Sequence, residues 1–77
     1  MVEIEYQETP DHRILLFGDG VEVSINKGGY GMLIVSKGGE EIERYYGLEM
    51  AVDHAAELVG VSPSSIELPK KARDMGM

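Results

Sequence analysis

With 77 residues the chain has room for one domain and no more. Fourteen acidic residues against seven basic ones give a formal net charge of −7, which repels nucleic-acid phosphates and anionic membranes and argues against both as partners. The absence of cysteine excludes a disulfide framework and any Cys-ligated zinc or iron–sulfur centre.

A domain of this size keeps much of its surface wet, so its core must be thin. The start "MVEIEYQ" carries neither the basic region nor the apolar stretch of a secretory leader. No apolar run approaches the roughly 20 residues of a membrane span. A soluble cytoplasmic protein is therefore expected. The acidic surplus would also suit a salt-rich cytoplasm.

"VEIEY" opens the chain with strict alternation, Val2, Ile4 and Tyr6 against Glu3 and Glu5, the period of a half-buried strand. Pro10 and Asp11 mark a turn. Ile14 to Phe17, "ILLF", is apolar on both faces, as a central strand would be. Gly18-Asp19-Gly20 is a tight hairpin signal, because Asp-Gly tolerates positive φ. Val21, Val23 and Ile25 alternate along a third strand, and "NKGG" ends it. Tyr30 to Ser36 forms a fourth, in which Gly31 signals a bulge or a close backbone approach. "KGGE" turns the chain again, into a fifth strand from Glu41 to Tyr46. Short strands joined by short loops predict an antiparallel meander.

Beyond Gly47 the period changes to that of a helix. Leu48, Val52, Ala55 and Val59, with Ala51 and Leu58, gather on one arc, and Glu49, Asp53 and Glu57 fall opposite. Gly60 stops it, so the helix is expected over Leu48 to Val59. Ser62-Pro63 predicts one short turn, and Ile66 to Leu68 a short edge strand. The fold class that follows is α+β. An antiparallel meander of about five strands carries one amphipathic helix on one face, with a short C-terminal strand or turn after it. Residues 1–69 would be the domain and 70–77 a flexible tail.

The stretch "KGGYGMLIVSKGG", from Lys27 to Gly39, invites comparison with a phosphate-binding loop. Such a loop places its glycines before Lys-Ser/Thr and opens into a helix, whose N-terminus binds the anion. Here each lysine precedes its glycines and a strand follows each pair, so two reverse turns are expected, at opposite ends of the strand between them. His12 and His54 lack the spacing of a zinc site and are expected on the solvated surface. Asp19 and the cluster Glu40, Glu41 and Glu43 could at most form a weak divalent-cation or small-ligand site, with no calcium-loop motif to support it. Ser24 and Ser36 fall at polar strand positions, and Ser62, Ser64 and Ser65 sit in no nucleophile frame. The four tyrosines, Tyr6, Tyr30, Tyr45 and Tyr46, have acidic neighbours and no RNA-binding pattern. An enzyme is not expected, and neither is a cofactor.

One helix covers one face of a sheet, yet the second and fourth strands are apolar on both. Leu15 and Phe17 oppose Ile14 and Leu16, and Leu33 and Val35 oppose Met32 and Ile34. A second apolar patch is therefore expected, assigned to Leu15, Phe17, Leu33 and Val35 and rimmed by glutamates. The functional expectation is a non-catalytic module that meets a protein partner, or a second copy of itself, through that sheet face. The alternative is the weak cation or small-ligand binder.

Overall fold

A computed structural model describes residues 2–27 and 32–75, with the backbone alone at Val2 and Glu3. Among these residues seven strands and one α-helix succeed one another: β1 (Val2–Glu3), β2 (Glu5–Glu8), β3 (His12–Gly18), β4 (Val21–Asn26), β5 (Leu33–Lys37), β6 (Glu40–Tyr45), α1 (Leu48–Val59) and β7 (Ile66–Glu67). Single 3-10 turns cover Pro63–Ser65 and Lys70–Ala72. Strands β2 to β6 form an antiparallel meander in chain order, and α1 packs across it, as the alternation and the change of period predict.

Turn chemistry sets two of the hairpins. Asp19 and Gly20 have φ of 52° and 77°, and Gly38 and Gly39 have φ of 61° and 85°, the positive values a two-residue type I′ connection requires. Both turns lie at the same end of the sheet, where the Gly38 N–H donates to the Gly20 carbonyl at 3.0 Å. A Cβ at Gly20 would stand 3.2 Å from that nitrogen, so this position needs glycine for space as well as for φ. The second Lys-Gly-Gly is thus a hairpin turn. The first falls largely on residues 28–31, as do Tyr30 and Gly31, outside the described residues.

The expected first strand is two strands. β1 pairs in parallel with β7, Val2 with Ile66 and Glu3 with Glu67, while β2 pairs antiparallel with β3. Ile4 marks the transfer and is buried there. Helix α1 starts after Gly47 and ends in a Schellman motif: Gly60, φ 78°, donates to the Glu57 carbonyl at 3.1 Å and Val61 to that of Ala56 at 3.0 Å. Ala51, Val52, Ala55 and Ala56 are its buried residues, and their small size lets the helix lie close on the sheet.

The register places the core and corrects the expected contact surface. Leu15 pairs with Val23 and Val23 with Val35, so these three share one face, and α1 covers it. Leu15, Leu33 and Val35 are 0% exposed and Phe17 8%. The four residues assigned to a docking patch are core, not surface. For Leu15 and Phe17 the physical reason is a bulge at Phe17, which shifts the β3–β4 register by one residue between Leu16 and Gly18; Val35 reaches the same face because regular β4–β5 pairing sets it opposite Val23, and Leu33 follows two residues away.

The expected flexible tail is corrected as well. From Pro69 to Met75 the chain returns to the body of the domain, with Ala72 and Met75 buried in the core cluster. Arg13 fastens it. Its guanidinium donates to the Lys71 carbonyl and to the Asp74 carboxylate, both at 2.5 Å, and through Nε to the Tyr6 hydroxyl at 2.8 Å.

Candidate interaction surface

Across the face turned away from α1, the register writes two rows of side chains. Gln7, Ile14, Ser24, Ile34 and Arg44 form one, running from β2 to β6. Glu5, Leu16, Glu22, Ser36 and Glu41 form the other. Ile14, Leu16 and Ile34 are half-buried there, while α1 and the C-terminal segment join the core on the opposite side. A second apolar face therefore exists as the doubly apolar strands predict, but on Ile14, Leu16 and Ile34. It is narrower than expected, because Ser24 and Ser36 interrupt it.

Its charges are unequally engaged. Arg44 donates to both oxygens of Glu41 at 2.9 Å, which holds that carboxyl below the usual carboxylate range and raises the guanidinium. Arg44 is the one cation on this face among the described residues. Glu5 and Glu22 have no ion-pair partner among them. At the far edge Ile42, the extra residue of a second bulge, is 42% exposed on a strand otherwise lined with glutamates. Charges on an edge strand hinder pairing with another chain.

The acidic alternative does not assemble into a cation site. Glu41 is held by Arg44, the Glu43 carboxylate accepts from the Arg44 backbone N–H at 3.1 Å, and Asp19 sits in the separate β3–β4 turn. Among the described residues no group of three or more His, Asp or Glu side chains converges as a metal would need. His54 is not simply solvated. Half-buried on the helix flank, its Nδ1 lies 2.9 Å from the Tyr45 hydroxyl, and the two rings meet edge to face. His12 is exposed at the start of β3.

Sequence reasoning missed a concavity beside α1. A cleft of about 790 Å³ separates the first turns of α1 from the returning C-terminal segment. Leu48 and Val52 of the helix and Ile66, Leu68 and Met75 of the returning segment line it, together with the charged Glu49, Asp53 and Arg73. Nothing local announces it, because it exists only once residues 66–75 fold back beside the helix. No helix among the described residues is long and apolar enough to cross a membrane.

The chain belongs to a family of unknown function, DUF7111, whose model matches residues 1–77. No curated protein and no solved structure matches it.

Proposed function

We propose that the protein is a small non-catalytic interaction module that docks another protein on the open face of its sheet. One observation carries the reading: Ile14, Leu16 and Ile34 stay half-buried in the lone chain, on a face that neither α1 nor the C-terminal segment covers. Branched apolar side chains gathered on a sheet face gain from a cover, since each CH₂ they bury contributes about 0.8 kcal/mol. The acidic surface keeps the free module soluble and opposes indiscriminate association. The rival reading, a cation or small-ligand binder, finds no support at Asp19 or at Glu40, Glu41 and Glu43; what favours it is the cleft beside α1.

A photo-crosslinking benzophenone side chain placed at Ser24, in the middle of the open face, tests the docking reading in the native cell. The control is the same group at Glu57 on the outer side of α1. A discrete adduct from Ser24 and none from Glu57 is the expected result. Adducts from both positions alike, or from neither, would remove the open face as a docking surface.

A further inference from the structure

We infer that the occupant of the open face is a cationic amphipathic helix of another protein; this rests on the docking reading above and specifies its partner. Shape comes first. Ile14 on β3 and Ile34 on β5 flank Ser24 on β4 in one cross-strand row. Two strand spacings put the isoleucines roughly 10 Å apart. A helix with its side chains is about 10–12 Å across. The short Ser24 leaves the middle strand low between the isoleucines, Leu16 continues the β3 wall, and Ser36 keeps the β5 side low beside Glu22. The result is a trough along β4 that seats one helix.

Charge decides which helix. Glu22 stands on β4 itself, beside Leu16, and Glu5 lies beyond it in the same row. Neither has a cation, and the one arginine on the face is held by Glu41. A wholly apolar helix would strand Glu22 without a partner, which costs more than an unmade pair in water. A second copy of the chain would set Glu5 and Glu22 against an equally acidic face, which among the described residues presents no free arginine or lysine to meet them. A helix with an apolar stripe and a lysine or arginine next to it satisfies both rows.

The test titrates the whole ¹⁵N-labelled chain with two helical peptides of equal length and identical leucine–alanine stripe, one flanked by lysines and one by glutamates. Saturable amide shifts at Ile14, Leu16, Glu22, Ser24 and Ile34 are expected with the lysine peptide alone. Glu22→Gln should weaken that binding roughly three- to fivefold at low salt, with the difference fading in molar salt. Ile34→Glu should abolish it while the spectrum stays dispersed, which distinguishes a lost surface from a lost fold. Equal binding of both peptides, or no effect of Glu22→Gln, would overturn the cationic partner and leave the docking reading standing. No shift with either peptide would overturn the helix, and the crosslink at Ser24 then judges the docking reading by itself. Shifts of these same amides that grow with the concentration of the chain alone would name a second copy as the occupant and also overturn the inference.

Discussion

Replacing Met75 by alanine tests whether the C-terminal segment is part of the domain. Met75 is 1% exposed and stands in the core cluster with Leu15 and Val52, and it also forms part of the cleft wall. Removing a fully buried methionine side chain costs about 2–5 kcal/mol, the lower part of that range applying where the site can collapse. The cleft beside it allows such collapse, so about 2–3 kcal/mol is expected. At roughly 4–8 °C per kcal/mol for a domain of this size, the midpoint of thermal unfolding should fall by about 8–24 °C. Met50→Ala is the internal control: Met50 is 60% exposed, and its loss should change stability by no more than about 0.5 kcal/mol. Circular dichroism melts of the two variants and the parent decide the matter. If Met75→Ala melts within 2 °C of the parent, the segment does not contribute to the core and the burial argument is wrong.

Three other outcomes follow from the same structure. Leu33→Glu places a carboxylate at a position with no exposure and should leave the chain unfolded, seen as collapse of amide dispersion, whereas Ile34→Glu, one residue on, should fold. Gly20→Ala sets a side chain at φ 77° and 3.2 Å from the Gly38 nitrogen; a loss of about 1–2 kcal/mol is expected in urea unfolding, against little change for an alanine at Gly47, which has extended φ and open space. Asp74, Glu8 and Glu41 are held below the usual carboxylate range by hydrogen bonds from Arg13, Lys27 and Arg44 respectively. A depressed folded value means the contribution is complete above the ordinary carboxylate pKa and is lost as pH falls through the folded one. The stability difference between the parent and Asp74→Asn should therefore be present at pH 7 and shrink on acidification below about pH 4; a constant difference from pH 7 to pH 2 would refute the Arg13–Asp74 coupling.

How far the fold could be read from the chain depended on the range of the signal. Helix α1 and the hairpin turns were legible because their periods and glycines are local. The faces of β3 were not. A two-residue Asp19-Gly20 turn with regular pairing would set Leu16 opposite Val23 and turn Leu15 and Phe17 outward. One extra residue at Phe17 reverses this, setting Leu15 opposite Val23. An all-apolar "ILLF" offers no polar residue to reveal the parity. Ile34 and Leu33 posed the same problem across a longer connection. The idea of a second apolar face survives while its residues change. The C-terminal segment was misjudged for a different reason: "PKKARDMGM" is polar, and Ala72 and Met75 are its only described apolar anchors. The side-chain bonds that tie the segment down come from Arg13, about sixty residues away.

The pairing of β1 with β7 also has a kinetic consequence. It joins the start of the described chain to Ile66 and Glu67 through only two residues on each side. The meander and α1 can form from neighbours, but this clasp requires closure of almost the entire chain, and the entropy of that closure must be lost before its few bonds are gained. The clasp, the Arg13 bonds and the Met75 contact should therefore assemble after the folding transition state and be the first to open from the native side. Changes there would speed unfolding and leave the folding rate nearly untouched. The half-life of the folded domain would then be adjustable at this clasp without disturbing the open face of its sheet.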